Sequence, residues 1–413
     1  MPSQPFAISV VKTLVDAGHI AYFAGGWVRD YLMQHPSDDI DIATSASVEE
    51  IQALFPKTIP VGIAFGIVIV VEQGHHFEVA TFRKESGYLD GRRPTSIESA
   101  SAQEDAKRRD FTINGMFWDP LKKELFDFVD GKKDLERRII RAIGDPHERF
   151  MEDRLRMIRA VRYSTRFDFE IELETRQAIL SHAKSLLPAV AMERVWQEFK
   201  KMSQFARFGQ GLATLHELQL LQTIFPSLRD VSTQEIQKRL SPISQFPKEA
   251  PAIAEIIELF PGAPLQELLG LCDYLKLSRD EKQIVEFLDR AKKILQMPLK
   301  WQEDLELVEW AHFYSALHAS LALDIHCAHL PPEEQAPFLK VHEQRRARLA
   351  WAVERIQKRT SVVQAQDLIQ EGIAPGIQMG ALLKEAERLS VNRGIENKEE
   401  IISFLKKSDL WNT

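Results

Sequence analysis

This chain of 413 residues is poor in cysteine and lacks long apolar runs. Its two cysteines, Cys272 and Cys327, show neither the spacing of a zinc site nor a disulfide pattern. No apolar run reaches the length of about 18 residues that a transmembrane helix needs, so we expect no membrane span. The first residues carry no basic segment ahead of an apolar core. We therefore expect no secretory signal and a cytoplasmic setting.

An excess of positive charge is also missing. The chain has 53 basic and 60 acidic residues, a net charge of −7. This balance argues against a protein that coats nucleic acid over its whole surface. It leaves room for a local basic groove, because six arginines fall within residues 149–166. With 44% hydrophobic and 27% charged residues, the composition is that of an ordinary globular protein.

The strand signal lies almost entirely in residues 1–145. Two β-rich runs, 65–71 and 76–82, are separated by a predicted hairpin turn at 72–75. Residues 84–100 are polar and rich in Gly, Pro and Ser, which predicts a mobile loop, and 112–118 is predicted as a further strand. After Asp145-Pro146 the apolar spacing is mostly helical.

The fold class that these patterns predict is a small mixed sheet with helices, followed by an all-α region. We expect an α/β head and then a helical neck, body and tail, over residues 1–145, 146–204, 205–300 and 301–413.

The most informative stretch is Gly25-Gly26-Trp27-Val28-Arg29-Asp30, followed by Asp39-Ile40-Asp41-Ile42. Glycines at a helix start let backbone N–H groups approach a phosphate, and Arg29 follows about one turn into that helix. Asp39 and Asp41 are two apart in a predicted strand, so they face the same side. A phosphate-binding turn beside paired carboxylates is typical of a metal-dependent nucleotidyl transferase.

Further polar residues follow along the head. Glu78, in the strand 76–82, is a candidate third metal-site carboxylate or else a solvent-facing glutamate. Arg109, Asp110 and Asn114 offer groups for phosphate and ribose. The alternative for them is a polar cluster that caps the start of a strand.

Arginines and one aspartate form a predicted stripe on a helix of the second half. Asp153, Arg156, Arg159, Arg162 and Arg166 are spaced by three or four residues. An Asp and an Arg one turn apart could read a base edge, with the carboxylate accepting from an amino group and the guanidinium donating to a ring nitrogen. The alternative is a salt-bridged helix face.

These motifs together resemble the bacterial tRNA nucleotidyltransferases, the class II CCA-adding enzymes, which share a superfamily with bacterial poly(A) polymerases. In family order over the first half of the chain, the matching segments are GGWVRD (25–30), DDIDIATSA (38–46), FEVATFR (77–83), RRDFTIN (108–114), FVDGKKDL (128–135), IRAIGDP (140–146) and EDRLRMIRAVRY (152–163). Two departures are small: Trp27 replaces a small residue, and Gly115 replaces an alanine.

The resemblance implies a set of roles. Asp39 and Asp41 would hold two Mg²⁺ ions, with Glu78 in their neighbourhood. Gly25, Gly26 and Arg29 would lie at the triphosphate, and Asp153 and Arg156 would select CTP and then ATP. The other expected nucleotide contacts are Arg109, Asp110, Asn114, Arg159 and Arg162.

The partner implied is tRNA, at its 3′ end and its acceptor and elbow region, with no membrane and no protein partner. Residues 88–94 resemble the flexible loop needed to switch from C to A addition, and 372–380 resemble the tRNA-contacting tail. Other outputs stay open: CC-only or A-only addition, a poly(A) polymerase, or an inactive RNA-binding protein on the same fold.

Overall fold

The structure is a computed structural model, and it describes residues 3–35, 37–62, 65–88, 94–297 and 305–411. The chain divides into two compact units, 1–240 and 241–413. The expected four-part division into head, neck, body and tail stays a prediction. Within the described ranges, no helix is both long and apolar enough to cross a membrane.

A seven-stranded sheet forms the first half of the first unit, in the order β3-β4-β5-β2-β1-β8-β9. The β2–β5 pair is parallel and the other pairs are antiparallel, so the predicted mixed sheet is confirmed. The strands are β1 (Ala21–Ala24), β2 (Asp41–Thr44), β3 (Thr58–Gly62), β4 (Ile67–Glu72), β5 (His75–Thr81), β6 (Arg83–Tyr88), β7 (Pro94–Ser99), β8 (Phe117–Asp119), β9 (Glu124–Phe126), β10 (Ile139–Ile140) and β11 (Glu170–Ile171).

Helices flank the sheet and then dominate the first unit. They are α1 (Gln4–Asp16), α2 (Gly26–Leu32), α3 (Val48–Leu54), α4 (Ala102–Arg108), α5 (Gly131–Arg137), α6 (Pro146–Glu152), α7 (Leu155–Phe167), α8 (Leu173–His182), α9 (Met192–Ser203), α10 (Phe208–Glu217), α11 (Leu220–Ile224) and α12 (Thr233–Leu240). Ser47 and Ser101 begin α3 and α4 with reciprocal capping boxes to Glu50 and Glu104.

The second unit is helical throughout its described residues, as the apolar spacing predicts. Its α-helices are α13 (Ala252–Ile256), α14 (Leu265–Tyr274), α15 (Arg279–Leu295), α16 (Leu307–Ser315), α17 (Ala319–Ala328), α18 (Pro332–Arg348), α19 (Ala350–Lys358), α20 (Ala365–Gln370), α21 (Ile377–Arg393) and α22 (Lys398–Leu405).

The core of the head lies between α1 and the sheet. Val10, Val11 and Leu14 of α1 are fully buried, as are Phe23 of β1 and Val68 of β4. Burial of each such side chain contributes about 1.5–3 kcal/mol of hydrophobic stabilisation. The sheet is therefore a rigid base for the loops at its edge.

The hairpin predicted around residues 72–75 is confirmed. Strands β4 and β5 pair antiparallel, with Glu72 opposite His75. Gln73 and Gly74 form the turn, and both have positive φ, at 47° and 84°. Two positive φ values are the requirement of a tight hairpin turn.

The mobile loop predicted for residues 84–100 is wrong for most of its length. Strands β6 and β7 pair antiparallel in their own two-stranded sheet, with Arg83 opposite Ser99 and Lys84 opposite Glu98. Polar residues can form strands when the pairing itself supplies the backbone hydrogen bonds, and composition alone does not register this. Residues 89–93, the centre of the expected C-to-A switching loop, lie outside the described residues.

The strand predicted over residues 112–118 is also wrong in its first half. Thr112–Asn114 is a short 3-10 helix, and the strand β8 begins only at Phe117. The Asp110 carboxylate accepts from the backbone N–H of Phe111 at 2.8 Å and from the Asn114 side chain at 3.1 Å. These local side-chain bonds compete with a strand ladder and favour the tight turn.

Candidate active site

A polar cavity of about 650 Å³ lies in the first unit, between the edge of the main sheet and helix α7. It gathers all but one of the site residues that the sequence predicts: Gly25, Gly26, Arg29, Asp39, Asp41, Arg109, Asp110, Asn114, Asp153, Arg156, Arg159 and Arg162. The exception is Glu78. The cavity is also lined by residues to which the sequence analysis assigned no role in the site. They are Trp27, Asp30, Ser37, Arg108, Leu155, Tyr163 and Arg194, together with Arg166 of the predicted stripe.

The glycine turn between β1 and α2 forms one side of the cavity. Gly25 has φ = 65°, in the left-handed region. A Cβ at Gly25 would lie 3.0 Å from Nη1 of Arg109 and 3.8 Å from Oδ2 of Asp41. Glycine is thus required twice here, for its backbone conformation and for the close approach of these side chains.

The two aspartates of the DDIDI segment both reach the cavity. Asp41 is the first residue of β2, whereas Asp39 lies just before that strand begins. Burial and then the charges of Glu78 and Asp39 raise the pKa of Asp41 to about 7, while Arg109 lowers it. A divalent cation at these oxygens would offset the repulsion, so the carboxylate pair fits a metal such as Mg²⁺.

Glu78 lies beside this pair because β2 and β5 are parallel neighbours. Ile42 pairs with Val79, which places Asp41 next to Glu78 on the same face of the sheet. Glu78 is exposed and does not line the cavity. Across the described ranges, no three His, Cys, Asp or Glu side chains come close enough to hold a metal ion. A role for Glu78 as third metal ligand stays a prediction.

Arg29 is almost fully buried, at 2% exposure. Its Nε donates to Asp30 at 2.9 Å, and its Nη1 donates to the Asn114 side-chain oxygen. The guanidinium also lies over the ring of Phe167, 4.6 Å from its centre. Through these contacts Arg29 connects α2 to the turn at Asn114 and to α7. Its predicted contact with a phosphate remains a prediction.

Asp110 and Arg159 form an ion pair in the cavity, with Asp110 buried and Arg159 partly buried. The Asp110 carboxylate accepts from Nε of Arg159 at 2.9 Å and from its Nη2 at 2.5 Å. Burial alone would raise the pKa of Asp110, but Arg159 and the hydrogen bond from Asn114 outweigh it and lower the pKa to about 2. The carboxylate therefore stays ionised, and it connects the RRDFTIN segment to α7.

The predicted helical stripe needs one correction. Helix α7 carries Arg156, Arg159, Arg162 and Arg166. Asp153 lies outside it, in the short connection that follows the last residue of α6. The Asp153 carboxylate accepts from the backbone N–H of Leu155 at 3.1 Å, which turns the chain between the two helices. Asp153 and Arg156 still meet at the cavity, because the tight turn keeps them adjacent.

Both members of the Asp153 and Arg156 pair are held by neighbours. Arg194 of α9 donates to Asp153 at 3.0 Å. Arg156 donates to Glu152 at 2.7 Å and to the backbone oxygen of Arg108 at 3.2 Å. The salt-bridged helix face and the base-reading pair are thus compatible, since the salt bridges orient groups that line the cavity. Arg194 carries no local sequence signal, because only the packing of α9 on α7 brings it here.

Two family models match segments of the first unit. The family model for the poly A polymerase head domain matches residues 21–141 of this chain. The model of the probable RNA and SrmB-binding site of polymerase A matches residues 168–231. The CCA-adding enzyme of Pediococcus pentosaceus is 34% identical over 98% of this chain and 98% of its own length.

This chain belongs to the family of the CCA-adding enzymes. The CCA-adding enzyme of Enterococcus faecalis is 36% identical over 97% of this chain and 95% of its own length. The solved CCA-adding enzyme of Bacillus stearothermophilus, in complex with CTP, is 30% identical and superposes with a TM-score of 0.80 over 98% of both chains. The family resemblance that the motifs of the first half carry is thereby confirmed, and these alignments cover 97–98% of the chain.

Proposed function

We propose that this CCA-adding enzyme completes the 3′ CCA end of tRNA from CTP and ATP, without a nucleic-acid template. The observation that carries this proposal is the cavity that joins Asp39 and Asp41, the Gly25-Gly26 turn and the Asp153 and Arg156 pair. One set of groups suits metal-bound triphosphate, and the other suits a nucleobase. Solved relatives of the fold bear CTP, ATP or tRNA in their complexes.

The carboxylates Asp39 and Asp41 hold two Mg²⁺ ions in this proposal. When bound, such a metal pair would supply activation of the tRNA 3′ hydroxyl and neutralisation of the charge on the leaving pyrophosphate. The chain's own contribution is a preformed pair of oxygen donors on the edge of a rigid sheet. The Gly25-Gly26 turn leaves space for the triphosphate beside them, and Arg109 supplies positive charge at the same place.

Base selection falls to Asp153 and Arg156. The Asp153 carboxylate accepts from the amino group of cytosine or adenine, and Arg156 donates to the neighbouring ring nitrogen. Uracil and guanine present a carbonyl oxygen where the carboxylate lies, so they are rejected. Arg194 and Glu152 hold the two side chains in place, which is what a protein template requires.

The remaining predicted residues bind the rest of the nucleotide in this proposal. Asp110 and Asn114 would bind ribose hydroxyls, and Arg29 would bind the triphosphate. Arg159 and Arg162 support the nucleotide and the primer from α7. Arg162 is held by an ion pair with Glu198 at 2.6 Å, so it presents a fixed orientation.

A primer-extension assay tests the proposal. A tRNA lacking its CCA end is incubated with CTP alone, ATP alone or both, in the presence of Mg²⁺. We expect two nucleotides from CTP alone and three from the mixture. Two nucleotides from the mixture would indicate a CC-only enzyme, and addition only to a tRNA ending in CC would indicate an A-only enzyme. A long ladder would indicate a poly(A) polymerase.

The double variant Asp39→Asn with Asp41→Asn provides the matched control. We expect it to lose incorporation while it keeps its affinity for tRNA, because only the metal-binding oxygens change. Incorporation at the wild-type level would overturn the assignment of these carboxylates. Wild-type protein that binds tRNA but never incorporates nucleotide would support an inactive RNA-binding protein.

A further inference from the structure

Trp27 of α2 lies at the cavity, next to the Gly25-Gly26 turn. Its side chain is 1% exposed. The indole packs edge-on against Phe23 of β1, with ring centres 4.8 Å apart, and stacks on Tyr31 of its own helix at 4.9 Å. Strand β1 pairs directly with β2, and Ala24 lies opposite Asp41. The indole is therefore fixed to the same frame that carries the catalytic carboxylates.

The indole N–H reaches across to the segment that leads into those carboxylates. Nε1 of Trp27 donates to the backbone oxygen of Ser37 at 3.2 Å. Ser37 comes two residues before Asp39, and Asp39 precedes β2. The strand ladder therefore starts at Asp41 and does not extend to Asp39. The Trp27 bond restrains the chain at the place where the ladder has not yet begun.

A second hydrogen bond holds the same segment from the other side. The buried Ser3 donates through Oγ to the Asp38 backbone oxygen at 3.3 Å and to its carboxylate at 3.1 Å. Asp38 lies between the residue that Trp27 holds and Asp39. Residues 37–38 are thus anchored from α2 and from the start of α1.

We propose that Trp27 is a positioning residue for Asp39, acting through its indole N–H on the backbone of Ser37. The inference rests on the proposed function, in which Asp39 and Asp41 bind Mg²⁺. The negative charge of Asp41 is opposed by the charges of Glu78 and Asp39. An anchored backbone keeps Asp39 turned toward the metal in spite of that repulsion. The cost of ordering the site is then met on folding rather than on metal binding.

The experiment compares the wild type with Trp27→Phe, which keeps an aromatic ring and removes the N–H. A second variant carries 3-benzothienylalanine at position 27, which replaces only the N–H with sulfur and preserves the shape of the ring. Mn²⁺ binding in the presence of CTP is followed by electron paramagnetic resonance of the free ion. This readout does not depend on activity.

We expect Mn²⁺ affinity to fall by about five-fold in both variants, the factor that one hydrogen bond of typical net strength corresponds to. CTP incorporation will need correspondingly more Mg²⁺, while the KM for tRNA stays unchanged. Wild-type Mn²⁺ affinity in the benzothienyl variant would overturn the inference, even if Trp27→Phe folds poorly.

Trp118→Phe is the matched control. Trp118 contacts Tyr31 in the same aromatic cluster, with ring centres 5.0 Å apart, and does not line the cavity. We expect its Mn²⁺ affinity to equal that of the wild type; a similar loss there would show a general effect of aromatic packing and contradict the role of the N–H. Retained incorporation in the Asp39 and Asp41 double variant would instead overturn the assignment of these carboxylates as metal ligands, on which the inference rests.

Discussion

Arg166 of α7 donates to the Asp30 carboxylate of α2 at 2.9 Å, across 136 positions of sequence. The other oxygen of Asp30 accepts from Arg29. Asp30 thus lies between an arginine of the glycine-turn helix and an arginine of the helix that lines the opposite side of the cavity. The ion pair between Asp30 and Arg166 therefore connects the side of the cavity formed by the sheet and α2 to the side formed by α7.

Asp30→Ala should destabilise the protein by about 3 kcal/mol, because it leaves the buried charge of Arg29 without its main partner. The control is Arg138→Ala, which removes an exposed ion pair with Asp168 at 3.5 Å and should cost less than about 1 kcal/mol. Urea denaturation of the two variants measures both values. Equal losses would contradict the central position of Asp30.

Arg156→Ala should reduce nucleotide selection more than nucleotide binding. Loss of one partner of a base-reading pair corresponds to about 10- to 100-fold in discrimination. We expect UTP incorporation relative to CTP to rise by a factor in that range, measured under competition on a tRNA lacking CCA. Arg137→Ala, at an exposed arginine outside the cavity, should leave the ratio unchanged. An unchanged ratio in Arg156→Ala would rule out its part in selection.

The residue types of the site could be predicted from sequence, because the period of two in a strand and of three to four in a helix places side chains on faces without a structure. The α7 arginines meet at the cavity on that basis, whereas the prediction that Asp39 and Asp41 share a strand is wrong, because Asp39 lies before β2 and reaches the cavity from outside the strand. Arg194 could not be predicted, since it meets Asp153 only through the packing of α9 on α7. The position of Glu78 beside Asp41 depends on the strand order, which local patterns do not encode.

The errors in the predicted fold have a common physical origin. In each case the secondary structure was set by hydrogen bonds that the local sequence pattern does not show. These bonds come either from a strand elsewhere in the chain or from side chains that compete with the backbone. Residues 83–88 and 94–99 became strands because they pair with each other. Residues 112–114 left the strand because Asp110 and Asn114 bond locally.

Gly115 occupies a position where the structure leaves no space for a larger side chain. A Cβ there would lie 2.7 Å from Cγ2 of Val129 and 3.0 Å from Cδ1 of Ile143. Gly115→Ala should therefore destabilise this chain by about 1–3 kcal/mol through overpacking. Adding Val129→Ala should recover part of the loss. Gly270→Ala, at a helical position with open space, should be neutral or stabilising. Urea denaturation of the variants measures these differences in the free energy of unfolding.

Glu255 of α13 provides a pH-dependent test in the second unit. It is 6% exposed, and its Oε2 has no hydrogen-bond partner among the described residues. Burial raises the pKa of this carboxyl to about 8. Because the pKa in the folded state lies above the unfolded value of 4.5, the folded state binds the extra proton. The contribution of this protonated carboxyl to the free energy of unfolding is fully present below pH 4.5 and is lost as the pH rises toward 8.

Glu255→Gln keeps the shape of the side chain and removes the titration. Relative to the wild type, we expect the variant to gain stability as the pH rises from 5 to 9, by a total on the order of 4 kcal/mol. Urea denaturation at several pH values measures the difference between the two proteins, in which groups common to both cancel. The exposed Glu267→Gln on α14 should show no such slope. A constant difference for Glu255→Gln across this range would mean that the carboxyl is solvated or paired in solution, because the stability depends on pH only where the folded and unfolded states bind different numbers of protons.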